Sequence, residues 1–216
     1  MYSSATSHTG HTGGRASARQ LLVASAIMLS GALPGAHMMA TDDPEPSPQV
    51  SVREEHGTYS VRARFEVPQA AHVALAVLTD YEQIPRFMPD VRTSVVLERT
   101  PGRVLVEQEA VSQFMMFSRK VHLVLEVTEE GDTIRFVDRC GKSFTTYAGV
   151  WRAIQKDGGT MVTYELTARP AFDVPEFILK RLLKRDSGQM IDRLRREIAA
   201  RAARALSANG SNHANY

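Results

Sequence analysis

Apolar and polar residues alternate along most of the chain beyond residue 57, which is typical of strands that bury one face. Tyr59–Val67 is the clearest example, because every second residue is apolar and the residues between them are polar. The same pattern, with glycine and proline turns between the runs, predicts six further strands at Val91–Arg99, Val104–Val111, Val121–Val127, Ile134–Cys140, Ser143–Gln155 and Thr160–Ala168. Their short connections predict an antiparallel sheet.

Helical patterns flank these strands. After the first strand, residues 69–79 predict one helix and Asp80–Pro85 predicts a second short one, interrupted by proline. A long closing helix is predicted from Pro175 to about Leu206. Its inward stripe consists of Leu179, Leu183, Ser187, Ile191, Leu194 and Ile198. We therefore expect an α+β fold, in which the long helix covers one face of a curved antiparallel sheet and leaves a cavity beneath it.

Gly188 lies in the middle of the inward stripe. A glycine inside a helix destabilises the helix by about 1 kcal/mol relative to alanine. We therefore expect Gly188 to have a structural or functional role. One interpretation is a kink, or a close contact between helix and sheet. The other is that the helix leaves the space beneath it unfilled.

Two motifs carry a family resemblance. Asp80–Asp90 (DYEQIPRFMPD) resembles the D-x-x-x-x-P-x-F-x-P segment of the START-like (SRPBCC) superfamily, in its polyketide cyclase/dehydratase and coenzyme Q-binding branch. Phe144–Trp151 is similar to the F-x-x-x-x-G-x-W strand of that branch. The resemblance covers residues 57 to about 200. It implies a helix-grip fold with a hydrophobic tunnel between sheet and helix, in a superfamily that binds lipids, quinones or polyketides and includes some aromatase/cyclases.

The implied tunnel predicts a set of ligand-binding residues on the inward faces of the sheet and helices. They are Tyr81, Phe87, Met88, Phe114, Phe117, Phe136, Tyr147, Trp151, Tyr164, Ser187, Met190, Ile191 and Leu194. The function that we favour is binding, or binding and transport, of a hydrophobic or lipid-like small molecule. No cofactor is expected.

A catalytic alternative rests on polar residues of the same strands. Asp138 and Cys140 share a strand face with Phe136, so both could face the cavity. Asp138, Tyr147 and Tyr164 would then form the acid–base set of a cyclase/dehydratase acting on a polyketide-like or aromatic substrate. The competing interpretation is a strand-end aspartate near the surface and an inert buried cysteine.

Phe114–Phe117 (FMMF) occupies the tip of a predicted hairpin, where a polar turn is expected. Its two phenylalanines could fold back and plug the core. Alternatively, the segment forms a flexible gate through which an apolar ligand enters, since methionine adapts readily to different partners.

Charge and composition argue against several other functions. A net charge of +2 on 216 residues, without aromatic residues interleaved among the basic ones, predicts no nucleic-acid partner. The sequence contains no metal-binding motif, and its single cysteine, Cys140, excludes an intrachain disulfide. Nine basic residues on the closing helix predict either a solvated face or contact with an anionic membrane surface.

The N-terminal residues have the pattern of an export signal. Arg15 and Arg19 precede the apolar run Leu21–Leu33, which suits a signal peptide and is too short to span a membrane. The predicted organisation is an export signal or N-terminal anchor at 1–40, a disordered linker at 41–50, a START-like domain at 51–206 and a disordered tail at 207–216. We accordingly expect an exported protein, either periplasmic or membrane-associated.

Overall fold

The computed structural model describes residues 48–114 and 117–212, which form an eight-stranded sheet and three α-helices. The strands are β1 (Gln49–Glu55), β2 (Thr58–Val67), β3 (Val91–Thr100), β4 (Arg103–Phe114), β5 (Phe117–Glu130), β6 (Thr133–Asp138), β7 (Phe144–Lys156) and β8 (Gly159–Pro170). The helices are α1 (Ala71–Leu78), α2 (Ile84–Phe87) and α3 (Glu176–Asn212), and a 3-10 turn at Tyr81–Gln83 precedes α2.

All neighbouring strands pair antiparallel, in the order β1-β2-β8-β7-β6-β5-β4-β3. The strand β2 therefore lies between β1 and β8, and β1 and β3 form the two edges of the sheet. Helix α3 packs against β1, β2 and α1. The predicted α+β helix-grip fold, with two short helical segments and a long closing helix, is confirmed.

The edge strand β1 is absent from the sequence prediction, and it corrects the start of the predicted domain. Gln49 and Val50 belong to β1, although the linker was predicted to extend to residue 50. The apolar alternation of this strand is short, and its structure depends on pairing with β2, where Val50 lies opposite Ala63. At the other end, α3 continues to Asn212 and overlaps the range predicted as a disordered tail.

The predicted inward stripe of α3 is confirmed. Ile191, Leu194 and Ile198 are almost completely buried, Leu179 and Ser187 are buried, and Leu183 is half-buried against the core. Burying one large apolar side chain contributes about 1.5–3 kcal/mol. The stripe therefore holds the helix firmly over the sheet.

Several basic residues of α3 bind acidic residues of the fold instead of facing solvent alone. The guanidinium of Arg201 lies 2.8 Å from Asp80 and 2.8 Å from Glu197. Arg193 forms an ion pair with Asp90. Because Asp80 and Asp90 flank α2, these pairs tie the α1–β3 connection to the closing helix. The expectation of a simple solvated face is therefore wrong for Arg193 and Arg201.

The predicted hairpin tip is confirmed at the level of the backbone, because Phe114 and Phe117 pair at the ends of β4 and β5. Met115 and Met116 lie outside the described residues, so the plug and the gate both stay predictions. The predicted export segment at 1–40 also lies outside them. Among residues 48–114 and 117–212, none of the helices has the length and apolar character needed to cross a membrane.

Candidate ligand-binding site

Five aromatic side chains from β6, β7 and β8 meet on the inner face of the sheet. The ring of Phe136 lies 5.9 Å from Tyr147 and 6.4 Å from Tyr164, measured between centroids. Tyr147 also contacts Phe144 at 4.9 Å, and Trp151 contacts Tyr164 at 4.2 Å. We call these residues the aromatic cluster. Aromatic pairs at such distances add about 0.5–1.5 kcal/mol to the stability gained from burial alone, so they also support the core.

Gly149 makes room for the centre of this cluster. It lies opposite Phe136 on β6 and Leu166 on β8. A Cβ atom at Gly149 would come within 2.4 Å of Cζ of Phe136 and 2.4 Å of the carbonyl oxygen of Glu165. The glycine of the F-x-x-x-x-G-x-W motif is therefore required here because the Phe136 ring occupies the space of its missing side chain.

Two tyrosines of the cluster, Tyr147 and Tyr164, both contact the ring of Phe136. Tyr147 lies opposite Ala168, whereas Tyr164 lies opposite Trp151, so the two residues start about four strand positions apart. Burial is the main cause that raises the pKa of both phenols, and the charge of Asp138 also raises the pKa of Tyr147. Both tyrosines are therefore uncharged at neutral pH.

Asp138 stabilises the turn after β6. Its Oδ1 accepts hydrogen bonds from the backbone N–H groups of Val124 (2.9 Å) and Cys140 (3.1 Å), and its Oδ2 accepts one from Gly141 (3.0 Å). The carboxylate is half-buried and close enough to Tyr147 to affect its pKa. The structure thus brings the three candidate catalytic residues near one another, but the aspartate is already engaged by backbone amides.

A cavity of about 810 Å³ opens between α3 and the edge of the sheet formed by β1, β2 and β8. Its lining includes Val50, Ala63, Tyr164, Lys184 and Gly188. A Cβ atom at Gly188 would meet no other atom within 4 Å. The predicted close contact between helix and sheet at this glycine is therefore wrong, and the interpretation that the helix leaves space beneath it agrees with the geometry.

The other predicted ligand residues fall into two groups. Ser187, Ile191 and Leu194 are buried on α3 with Met190 half-buried beside them. The second group lies near α2: Met88 is buried in the core, and Phe87 packs beneath Arg201, whose guanidinium carbon is 6.0 Å from the ring centroid.

Tyr81 belongs to this second region and has a structural contact. It is buried, and its hydroxyl donates a hydrogen bond of 2.7 Å to Oε1 of Glu129. Burial and this bond raise the pKa of its phenol. The side chains of Phe114 and Phe117 lie outside the described part of the structure. Their role in ligand binding therefore stays a prediction.

The contribution of β1 to the site is not predicted by the sequence pattern. Val50 lines the cavity, but the strand to which it belongs carries too little apolar alternation to be recognised alone. Gly188 was detectable, because an interior helix glycine is a local signal. In the described ranges 48–114 and 117–212, no group of three or more histidine, cysteine, aspartate or glutamate residues is arranged to hold a metal ion.

The sequence profile of the family described as "Polyketide cyclase / dehydrase and lipid transport" matches residues 67–195, more than half of the chain. The chain belongs to this family. The resemblance predicted from the two motifs is thereby confirmed. The description of the family covers both enzymes and lipid transport, which is in keeping with a hydrophobic ligand and leaves the specific function to be argued from the site.

Solved structures with the same fold include both kinds of protein. A STAR-related lipid transfer protein from Xanthomonas axonopodis has 23% identity and a TM-score of 0.61, over 71% of this chain and 94% of that chain. A START superfamily protein from Mycobacterium smegmatis has 17% identity and a TM-score of 0.58, over 65% and 97% of the two chains. The Zhui aromatase/cyclase from a Streptomyces species has 14% identity and a TM-score of 0.58, over 67% and 96%.

At these identities the likeness establishes the fold alone. None of the curated proteins matches the chain. The function is therefore argued from the residues of the cavity and the aromatic cluster.

Proposed function

We propose that this protein binds a hydrophobic or lipid-like small molecule between α3 and the β1–β2–β8 edge of the sheet, without converting it. The observation that carries the proposal is the open cavity of about 810 Å³, whose helical wall contains Gly188. Small-molecule sites commonly enclose about 300–1,000 Å³, so a lipid chain of moderate length would fit.

The composition of the surrounding side chains supports this proposal. Tyr164 lies both in the cavity wall and in the aromatic cluster, so the cavity reaches this apolar cluster at one side, whereas Arg62, Arg64, Glu165 and Lys184 make the rest of its lining polar. Such sites are usually apolar with a few polar groups that orient the ligand. The hydroxyl of Tyr164, which lines the cavity, would supply one such polar group.

The chemistry of the polar residues favours binding over catalysis. A general base needs an available lone pair and a pKa near the working pH. Asp138 already accepts three backbone hydrogen bonds. Burial raises the pKa of the phenols of Tyr147 and Tyr164, so neither is a base at neutral pH. None of the three residues is therefore well suited to remove a proton.

The proposal extends to where the protein acts. The export signal predicted at residues 1–40 leads us to place its function outside the cytoplasm, carrying the ligand between membranes. Lys180, Arg181 and Lys184 are exposed in the first turns of α3. Basic residues on such a helix attract anionic lipid head groups, which would bring the cavity close to a membrane surface.

Two measurements test the binding function. Native mass spectrometry of protein purified from its own host should reveal a bound hydrophobic molecule. Uptake of a fluorescent fatty acid should then be compared between the wild type and Gly188→Leu, because a side chain at Gly188 grows into the open space. We expect uptake to weaken at least about tenfold, which corresponds to 1.4 kcal/mol.

Ala199→Leu is the matched control, since Ala199 is exposed on the same helix and the added side chain would project into solvent. Removing an interior glycine should stabilise the helix by about 1 kcal/mol, so reduced uptake by Gly188→Leu would not reflect unfolding. A cavity that is always empty, or equal uptake by both variants, would refute the proposed site.

Tyr147 and Tyr164, which both contact Phe136, favour one second candidate, a cyclase/dehydratase. Their hydroxyls could donate protons to a polyketide-like substrate even though they are poor bases. Incubation with a poly-β-ketone distinguishes the two functions. An enzyme would change the pattern of cyclised products, whereas a binding protein would return only the products that form spontaneously.

A further inference from the structure

Four residues near the start of α3 share one side of the helix. Phe177, Arg181, Lys184 and Gly188 follow one another at intervals of four, three and four residues. With about 3.6 residues per turn, their directions from the helix axis differ by no more than about 60°. We call this side of α3 the Phe177 flank.

The Phe177 flank combines an exposed aromatic ring with two exposed cations. Phe177 is 73% exposed, and Arg181 and Lys184 are exposed as well. A single exposed apolar residue is ordinary on a protein surface. An aromatic ring beside cations, however, is the composition of helices that lie in a membrane interface. The flank therefore has the chemistry of a membrane contact.

The charge of the flank is positive, because the acidic residues of the same turns lie on other sides of α3. Glu176 points about 100° away from Phe177 around the helix axis. Asp186 forms an ion pair of 2.7 Å with its neighbour Arg185. The flank itself carries only cations, so it complements an anionic surface.

The Phe177 flank leads to the candidate ligand site. Lys184 and Gly188 line the cavity of about 810 Å³, whereas Phe177 and Arg181 lie outside its lining, towards the start of the helix. Phe177 precedes Gly188 by 11 residues, which corresponds to about 16 Å along the helix axis. A membrane in contact with Phe177 and Arg181 therefore also reaches the mouth of the cavity.

We infer that the Phe177 flank docks on an anionic lipid bilayer, with the ring of Phe177 inserted among the head groups and the mouth of the cavity turned towards the membrane. This inference rests on the proposed binding function and specifies its membrane contact and orientation. A bilayer suits the flank better than a protein partner, because a stable protein interface buries about 1,000 Å² or more around an apolar centre from which charged residues are depleted.

Co-sedimentation of the full chain with vesicles of phosphatidylcholine, with and without phosphatidylglycerol, measures the docking. We expect Phe177→Ser to weaken binding to the anionic vesicles at least about fivefold, because the burial of its ring is lost. Arg181→Gln/Lys184→Gln should weaken binding by about tenfold or more and remove most of the preference for phosphatidylglycerol. Raised salt should weaken the wild type in the same way, since salt screens exposed charges.

Leu206→Ser is the matched control for the apolar contact. Leu206 is 74% exposed on the same helix, but it lies 29 residues from Phe177, or about 44 Å along the axis. Arg196→Gln is the control for charge, since Arg196 is exposed on α3 beyond the flank. Both variants should bind the anionic vesicles as the wild type does.

A second measurement separates docking from ligand binding. Uptake of a fluorescent fatty acid added in solution should be unchanged in Phe177→Ser, because Phe177 lies outside the cavity lining. Uptake of the same fatty acid from anionic vesicles should slow at least about fivefold, in step with the weaker docking.

Three results would overturn the inference alone: no binding of the wild type to anionic vesicles, equal binding by Phe177→Ser, or an equal loss in Leu206→Ser. A wild-type dimer that Phe177→Ser converts to a monomer, seen by size-exclusion chromatography with light scattering, would also overturn it, because a second copy would then cover the flank. Absence of fatty-acid uptake by the wild type, from solution and from vesicles, would instead overturn the proposed function.

Discussion

Replacing Gly149 by alanine would place a methyl group where the ring of Phe136 already lies. The added Cβ would approach Cζ of Phe136 and the carbonyl oxygen of Glu165 to 2.4 Å each, whereas real Cβ atoms essentially never come closer than 3.0 Å. The ring can rotate or shift, but the carbonyl belongs to the backbone of β8 and is fixed by strand pairing. Relief of the clash therefore requires the sheet itself to move.

This geometry gives a magnitude for the loss of stability. Overpacking a core by one methyl group typically costs about 1–3 kcal/mol. Because one of the two clashing atoms is backbone, we expect the upper end, about 3 kcal/mol. For a domain of this size, about 1 kcal/mol shifts Tm by 2–4 °C, so Tm should fall by roughly 6–12 °C.

Urea and thermal unfolding of four proteins provide the assay: wild type, Gly149→Ala, Phe136→Leu and the double variant. The smaller leucine frees part of the space above Gly149, so the alanine should be less damaging in the Phe136→Leu background. A coupling energy between the two sites of about 0.5–3 kcal/mol is expected for residues in direct contact. The part that remains reports the contact with the Glu165 carbonyl.

Gly188→Ala is the matched control, because the added Cβ would have no other atom within 4 Å and the helix should gain about 1 kcal/mol. The two glycines should therefore respond with opposite signs. A loss below about 1 kcal/mol for Gly149→Ala, or the same loss with and without Phe136, would refute the reasoning.

Two further predictions concern Asp138 and the two tyrosines of the aromatic cluster. Asp138→Ala should lower the free energy of unfolding by about 3 kcal/mol, because three backbone N–H groups lose their acceptor; urea unfolding would measure it, and unchanged stability would contradict the structural role. The free energy of unfolding should also fall as pH rises above about 10, because burial raises the pKa of Tyr147 and Tyr164 in the folded state. The contribution of the two tyrosines to stability is fully present below the pKa of an unfolded tyrosine and is lost as pH rises above it. Unfolding measured against pH should show a weaker decline for Tyr147→Phe/Tyr164→Phe, and identical curves would contradict the assignment.

The sequence alone determined the strands from β2 to β8, the closing helix and the family. These features follow from local periodicity: the two-residue alternation of Tyr59–Val67 and the three-to-four spacing from Leu179 to Ile198 require no knowledge of partners. Gly188 was visible as a glycine inside a helix, and Gly149 as part of the Phe144–Trp151 motif. Their opposite roles were not visible, because one faces a phenylalanine ring and the other faces open space.

The position and lining of the candidate site became visible only in the tertiary structure. Strand β1 exists through its pairing with β2, and the cavity that it helps to line lies beside α3, at the opposite end of the folded sequence. The hydrogen bonds of Asp138 and the contacts of Tyr147 and Tyr164 with Phe136 likewise depend on packing between separate strands. Periodicity fixes which face of an element is apolar, but distances between elements depend on packing, and the chemistry of this site depends on those distances.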